Sequence, residues 1–379
     1  MDIQQDIILP PATIGIMGGG QLGMMLAIIA RQFGYKVAIL EPNLDCPAHQ
    51  VADIHITTAY DDEHGLAQLA QVSSVITTEF ENVPATSLEY LAQFKPVYPS
   101  SQSIKIAQDR GLEKQFFQSI GLKTADFQLI SNIDDCDKIE VDFFPAILKT
   151  TQLGYDGKGQ QRVTNLMELK QAYLQLSGKC ILEKMVNLAQ EVSVIIARNQ
   201  SGIISYPLIE NQHRNGILDI SYIPAHTSTT ISQQAFVAAQ KIIKGLNYIG
   251  LLTIEFFITH DGELLVNEIA PRPHNSGHIT LDCALSSQFE QQLRAICGLP
   301  LASSELKTMG AMLNLLGEIW LNNSQVEPII FNYSQAKLHL YGKTIAKYGR
   351  KMGHVNLMAN SRSELEQLVK QLKQQLNIE

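Results

Sequence analysis

Cysteine is sparse in this chain and never closely paired: Cys46, Cys136, Cys180, Cys283 and Cys297 are scattered over 379 residues without a C-x-x-C spacing. That pattern excludes a disulfide framework and a zinc knuckle, and it suits a reducing cytoplasmic setting. Positive charge is short as well. A formal net charge of −8 argues against non-specific nucleic-acid binding, which needs a broad basic surface, while leaving room for a local basic pocket that takes phosphates. The opening MDIQQDIILPPAT has acidic residues and no basic region ahead of a long apolar run, and the apolar stretches elsewhere are too short to span a bilayer. Neither a signal peptide nor a membrane span is expected. Tryptophan occurs once, and Trp320 is expected to serve packing. No repeat or low-complexity tract is evident. What the chain does have is a hydrophobic content of 45%, enough for well-buried cores in two or three domains and consistent with small-molecule partners.

The first hundred residues alternate strand and helix signals: TIGIMG, a helix from about Gln21 to Phe33, YKVAILE, VSSVITTEF and PVYP. This pattern predicts βαβ units in a parallel sheet. A helix is expected near Ile104 to Ile120, then the strand FFPAILKT before a glycine-rich stretch. From about Lys179 the strands CILEKMV, EVSVIIAR, GIISYPLIE, LLTIEFFI and ELLVNEIA follow with few helices between them, predicting a largely antiparallel sheet. The last segment has the strand AKLHLYG and closes with a polar helix at SRSELEQLVKQLKQQL. Domain boundaries are expected near 105 and 300.

Glu255 and Glu268 are mirror positions about a predicted two-residue turn at Asp261-Gly262. Counting outward pairs them across an antiparallel ladder with both side chains on one face. Two carboxylates about 5 Å apart repel by about 3 kcal/mol at an effective dielectric near 20. A divalent cation removes that cost, and with hard oxygen ligands and no nearby Cys or paired His, Mg2+ or Mn2+ suits the site better than zinc. A slipped register with one glutamate solvated, or a protonated pair, would also relieve the repulsion.

Two glycine-rich loops bear on nucleotide binding. Gly18-x-Gly20-x-x-Gly23 follows a strand and opens a helix, with Glu41 at the end of the next strand, so it formally satisfies a dinucleotide fingerprint. Backbone N–H groups at a helix N-terminus favour any phosphate, so nicotinamide binding, another phosphate and a plain tight turn all remain open. The second loop, Gly154 to Gln160, follows Lys149 and lacks the P-loop spacing. Its glycines suit a flap closing over triphosphate oxygens, with Lys149 and Lys158 supplying charge, although a flexible hairpin tip has the same composition. Glu183 to Val186, at a strand end, offers backbone groups for a purine edge, with Glu191 placed for ribose hydroxyls.

Six strings occur in order: GGGQLG at 18–23, TTEFENVP at 77–84, GYDGKGQ at 154–160, EVSV at 191–194, NEIAPRPHNSGH at 267–278 and GRKMGHVN at 349–356. Together they resemble the ATP-grasp superfamily, and within it the chain is similar over nearly its whole length to the N5-carboxyaminoimidazole ribonucleotide synthetases of purine biosynthesis. The resemblance implies an α/β and α+β ATP-grasp fold. A Rossmann-like parallel-sheet domain would span 1–105, and an ATP-grasp domain 106–300, with its small lobe at about 106–182 and large lobe at about 183–300. A C-terminal domain of mixed or antiparallel sheet, 301–379, would complete the active site. It also implies a cytoplasmic homodimer using ATP, bicarbonate and 5-aminoimidazole ribonucleotide. ATP would phosphorylate bicarbonate, and carboxyphosphate, or CO2 released from it, would carboxylate the exocyclic amine.

Carried over by motif, the nucleotide would meet Arg110, Lys149, the flap residues Gly154, Tyr155, Asp156, Gly157, Lys158, Gly159 and Gln160, then Glu183, Lys184, Met185, Val186, Glu191, His213, Asn267 and Glu268. Glu255 and Glu268 would hold the metal. Gln21 and Leu22 would offer amides to the ribonucleotide phosphate, so the first glycine loop would take a monophosphate. Glu79, Tyr155, Asp156, Arg272, His274, Asn275, Lys343, Arg350 and Lys351 would line the aminoimidazole and carboxyphosphate side, with Arg272, His274, Asn275 and Asp156 as the catalytic group. Many ATP-grasp enzymes bind metal through an Asn two residues beyond the second glutamate, but Ala270 stands there in this chain and Asn267 precedes the glutamate instead.

From residue type alone, His213 reads more readily as a loop histidine than as a nucleotide ligand, and His354 reads equally as a core histidine beside the site. Arg272, stiffened by flanking prolines and able to hold a carboxylate or phosphoryl group with two parallel bonds, favours function over a surface salt bridge. Competing readings are a sister ligase, such as a formate-dependent glycinamide ribonucleotide transformylase or a biotin carboxylase, a nicotinamide-dependent oxidoreductase, and a non-catalytic nucleotide sensor. The oxidoreductase would explain GGGQLG and Glu41 but leaves the second loop and the carboxylate pair unused.

Overall fold

The structure, a computed structural model, describes residues 5–152, 154, 159–176 and 178–378. Apolar runs in β1 (Thr13–Met17) and β2 (Lys36–Leu40) pair in parallel with β3 (Ile54–Ile56) and β4 (Val75–Thr78) in the order β3-β2-β1-β4. Such runs are expected when a sheet is covered on both faces. One face packs on α1 (Gln21–Gln32) and, through Phe289, Leu293 and Ile296, on the helix Gln288–Ile296; the other packs on α2 (Glu63–Val72) and α3 (Ala85–Leu91). The N-terminal sheet therefore shares a core with a helix from late in the chain. PVYP, expected as a strand, makes only an isolated bridge through Val97 to Ile76.

The helix expected from Ile104 to Ile120 is two helices, α4 (Ser101–Gln108) and α5 (Arg110–Ser119). Asp109 between them is extended, and its carboxylate caps α5 by accepting the N–H groups of Gly111 and Leu112 at 2.9 and 3.1 Å. A small antiparallel sheet follows: β5 (Phe127–Ile130), β6 (Ala146–Thr150), β7 (Gln160–Val163) and β8 (Cys180–Lys184), in the order β5-β8-β6-β7. Lys149 pairs with Gln160 at the mouth of the second glycine loop, and Thr150 N–H donates to Gly159 O at 2.9 Å. Tyr155, Asp156, Gly157 and Lys158 lie outside the described residues.

The third sheet has nine strands: β9 (Leu188–Asn199), β10 (Gly202–Ser205), β11 (Ile209–Arg214), β12 (Ile217–Ile223), β13 (Gly250–Thr259), β14 (Leu264–Ala270), β15 (Met309–Leu316), β16 (Ala336–Leu340) and β17 (Lys351–Ala359). Its main path is β14-β13-β9-β11-β12-β15-β17-β16, antiparallel at every step, with β10 paired to β9. GIISYPLIE, expected as one strand, is two, interrupted around Pro207, which has no N–H to give a ladder. The helix Thr229–Gly245 buries its apolar stripe on β9 and β13, and the terminal helix Arg362–Gln375 packs on β15 and β17. Among the described residues no helix is long and apolar enough to cross a membrane.

Candidate active site

Glu255 lies directly opposite Glu268 in the β13–β14 ladder, as the sequence count requires, but the turn differs. Thr259 N–H donates to Glu263 O at 2.9 Å, so the loop is the three residues His260 to Gly262, with Gly262 at φ +77°. The ladder then runs one residue out of the expected phase through Phe256–Val266 until Asn267 bulges out and restores it. Burial, followed by the charge of Glu268, pushes the Glu255 carboxyl up to about 8. Arg110 Nη1 is 3.0 Å from Glu268 Oε2, and His274 Nε2 is 3.4 Å from Glu255 Oε1. Burial, then Arg272 and Lys351, hold His274 well below its ordinary value, so it is neutral at pH 7, and the charge that offsets Glu255 comes first from His213.

On the small-lobe side, Lys149 Nζ is 2.9 Å and Lys114 Nζ 3.7 Å from Glu183 Oε2. Burial opposes ionisation of Glu183, but the two ammonium groups outweigh it and hold the carboxyl at about 2. Lys184 points elsewhere, its Nζ 6.0 Å from the Phe143 ring, as alternation along β8 dictates, and the Met185 N–H is bonded to Pro145 O at 3.0 Å. Glu191 and His213 meet across β9 and β11 at 2.5 Å. Burial opposes protonation of His213, yet the Glu191 carboxylate prevails and raises it. Arg110 Nη2 also donates to Gly154 O at 3.2 Å, joining the start of the glycine flap to the carboxylate pair.

The first glycine loop has an occupant of its own. Glu79 accepts the Gly20 N–H at 2.6 Å and the Gly23 N–H at 2.8 Å, and a Cβ at Gly20 would stand 2.5 Å from Glu79 Oε1. Glu41, the acid of the supposed dinucleotide fingerprint, is turned inward: Oε2 takes the Gly19 N–H at 3.0 Å and the Tyr60 hydroxyl at 2.5 Å. It therefore does not stand ready for a ribose. Among the described residues the Gln21 and Leu22 N–H groups, in the first turn of α1, have no acceptor. Lys343 Nζ comes to Gln21 Oε1 at 3.0 Å and to Lys351 O at 2.8 Å, and burial, then Arg350, push it down to about 8. Arg350 lines the same cleft with Gly20, Tyr60, Glu79 and Phe80.

Beyond β14 the chain brings Arg272 to Glu81, one residue past Phe80 of that cleft, followed by His274 and Asn275. Arg272 forms a two-bond ion pair with Glu81, through Nε to Oε2 and Nη2 to Oε1 at 3.1 Å, and Nη1 donates to Pro273 O at 3.1 Å. Of the five guanidinium N–H groups, two find no acceptor among the described residues. His274 Nδ1 is held by Ser276 Oγ at 2.9 Å, and Asn275 Nδ2 is buried with no partner among the described residues. His354 is a core residue: Tyr341 meets its Nδ1 at 2.8 Å, and the His278 and His339 rings stack on it at 4.7 and 4.6 Å. Trp320 packs against the C-terminal core and donates to Glu327 at 2.9 Å. Sequence reasoning passed over Glu81, Glu113 and Lys114. The last two, with Arg110, are charged at i, i+3 and i+4, a signal of one functional helix face.

A cleft between a small antiparallel lobe and a larger sheet, with a flap hairpin on one side and paired carboxylates on the other, defines an ATP-grasp enzyme. Family comparison agrees: the ATP-grasp domain matches residues 115–289, the ribonucleotide synthetase preATP-grasp domain 11–108, and the phosphoribosylaminoimidazole carboxylase C-terminal domain 310–368. The N5-carboxyaminoimidazole ribonucleotide synthase of Bacillus subtilis is 44% identical over 366 residues, 96% of this chain and 95% of that protein. The N5-carboxyaminoimidazole synthetase from Staphylococcus aureus, solved with ADP, superposes with a TM-score of 0.91 at 39% identity, covering 97% of this chain and 99% of that one. The synthase from Aspergillus clavatus, solved with ADP and 5-aminoimidazole ribonucleotide, gives 0.88 at 29% identity, with coverage of 97% and 98%. The chain belongs to the N5-carboxyaminoimidazole ribonucleotide synthase family and is an ATP-dependent ligase of purine biosynthesis.

Proposed function

We propose that ATP lies between the small and large lobes, that 5-aminoimidazole ribonucleotide lies against α1 and the C-terminal segment, and that bicarbonate is activated where they meet. One observation carries this assignment: residues 267–275 bear Glu268, opposite Glu255, at one end and Arg272, His274 and Asn275, its buried Nδ2 unpaired among the described residues, at the other. A single short segment thus joins a triphosphate-facing pair to groups suited to an anionic carboxyl intermediate.

Two carboxylates on one face, Glu255 partly buried and Glu268 with a side chain 40% exposed, fit a divalent cation. Among the described residues no cluster of three or more acidic, histidine or cysteine groups offers a complete cage, as suits magnesium held by one or two carboxylates and substrate phosphates. Glu255 and Glu268 would hold it, and when bound it would neutralise charge on the transferring phosphoryl group. Arg110, Lys149 and the flap residues Gly154 to Gln160 orient the triphosphate, while Glu183 to Val186, Glu191, His213 and Asn267 serve the nucleoside. A bicarbonate oxygen attacks the γ-phosphorus and ADP leaves. The exocyclic amine then bonds to the carboxyl carbon as phosphate departs, and the amine proton passes to the departing phosphate. The two Arg272 N–H groups without an acceptor among the described residues and the Asn275 amide hold the carboxyphosphate oxygens, and His274, kept neutral, takes the Ser276 N–H at Nδ1 and so turns its Nε2–H toward Glu255. Gln21, Leu22, Lys343, Arg350 and Lys351 hold the ribonucleotide phosphate, with Glu79 fixing the loop beneath it. Asp156 and Tyr155 complete the aminoimidazole side in this reading. The five free, buried cysteines accord with a cytoplasmic enzyme, and the family resemblance with a homodimer.

Steady-state ATP hydrolysis tests the assignment. Phosphate release should be slow with ATP and bicarbonate alone and rise when 5-aminoimidazole ribonucleotide is added. Release that ignores the ribonucleotide would contradict it.

A further inference from the structure

β14 is the edge of the nine-stranded sheet, bridged on its outer side at Val266 by Thr124, and at Asn267 it bulges away from β13. The ladder alone fixes the backbone weakly at the position that sets Glu268 opposite Glu255. Helix α5 reaches this stretch with two consecutive charged residues. Lys114 Nζ donates to the carbonyl of Asn267 at 2.9 Å, and Glu113 Oε1 accepts the N–H of Ile269 at 2.7 Å. The peptide groups immediately before and after Glu268 are thereby held from one helix, while Arg110, a turn earlier, meets the Glu268 carboxylate itself. Glu113 and Lys114 are each 2% exposed, a costly place for polar, ionisable side chains that calls for a specific return. Lys114 also faces Glu183 at 3.7 Å, so its ammonium serves both that carboxylate and the Asn267 carbonyl.

We propose that Glu113 and Lys114 are positioning residues for Glu268, clamping the peptides on either side of it so that its carboxylate stays opposite Glu255 across the bulge. The proposal rests on the reading of Glu255 and Glu268 as a cation-holding pair. Neither residue touches the reacting atoms; both act through Glu268.

The test is the affinity of the full-length protein for Mn2+ in the presence of ADP, read by electron paramagnetic resonance of the free ion, with thermal unfolding measured in parallel. Glu113→Leu and Lys114→Met should each raise the Mn2+ dissociation constant about 10-fold or more in protein that is still folded, as loss of an outer-shell partner does in other metal sites. Glu113→Gln, which keeps an oxygen to accept the Ile269 N–H, should stay within about 3-fold of wild type on the same scale. Glu268→Gln serves as the reference for direct loss of a ligand. Lower melting temperatures with unchanged Mn2+ affinity in both Glu113→Leu and Lys114→Met would overturn the proposal, as would a Glu113→Gln variant as weak as Glu113→Leu. Should Lys114→Met fail to fold, the two Glu113 variants decide. If Glu268→Gln weakens Mn2+ binding and the clamp variants do not, only the clamp falls; if Glu268→Gln binds Mn2+ like wild type, the cation reading and the clamp fall together.

Discussion

Glu255 and Glu268 face each other because Asn267 bulges out of β14, offsetting a hairpin loop one residue longer than the pairing count assumes. Removing one charge from this pair should leave the fold and remove the function. Glu255→Gln and Glu268→Gln are expected to lower turnover by about 10²-fold or more and to shift its Mg2+ dependence, because each takes one anionic ligand from a shared site. Initial rates against Mg2+ concentration, with circular dichroism as a fold control, check this. Wild-type activity with unchanged Mg2+ dependence would count against the metal assignment.

The same pair sets a pH dependence of stability. Burial and Glu268 raise Glu255 to about 8, and burial and Glu268 raise Glu113 likewise to about 8. A carboxyl whose folded pKa exceeds its unfolded value keeps its proton longer in the native state. The native protein then binds more protons than the unfolded chain, and stability falls as pH rises from about 4.5 towards 8. Melting temperature in metal-free buffer should therefore decline between pH 6 and 8, and Mg2+ with ADP should restore more stability at pH 8 than at pH 6. A flat metal-free profile that Glu255→Gln leaves unaltered would disagree.

The first glycine loop should matter to one substrate and not the other. In Gly20→Val the new Cβ meets Glu79 Oε1 and expels Glu79 from the Gly20 and Gly23 amides, disturbing the first turn of α1. The KM for 5-aminoimidazole ribonucleotide should rise far more than that for ATP. Calorimetry on the native protein should find no tight NAD(H) binding.

Arg272 and Lys351 should separate kinetically. Arg272→Met removes donors where charge develops and should lower kcat by about 10²-fold, as loss of other preorganised donors does. It also strands Glu81, so Glu81→Gln in the same background distinguishes a lost donor from an unpaired carboxylate. Lys351→Met should chiefly raise the ribonucleotide KM, since a phosphate clamp supplies binding and alignment. Because burial and Arg350 push Lys343 down to about 8, ribonucleotide affinity should also weaken above pH 8 and lose that dependence in Lys343→Met.

Much of this was legible in the residues. Apolar runs at 13–17 and 36–40 announced the parallel sheet, and the facing glutamates were found by counting from Asp261-Gly262. That count succeeded because two local departures cancel, a longer loop and the Asn267 bulge, neither of which a period-two pattern shows. The break at Asp109 was hidden because an N-cap aspartate inside a charged helical stretch reads as one more polar position. Glu81 and Glu113-Lys114 were missed for a different reason: their partners, Arg272 and the peptides around Glu268, are 191 and more than 150 residues distant, and only the folded chain brings them together. The two glycine loops could be weighed only by their neighbours. Glu41 completes a dinucleotide fingerprint in sequence, but in space it braces Gly19 and Tyr60.

The central claim is that this cleft joins bicarbonate to an amine at the expense of ATP, and following labelled bicarbonate together with phosphate release tests it most directly. Label should enter the carbamate on the 5-aminoimidazole amine in step with one phosphate released, and release should depend on both bicarbonate and ribonucleotide. Phosphate release without bicarbonate, or label that never reaches the amine, would contradict the account and point to a sister ATP-grasp ligase.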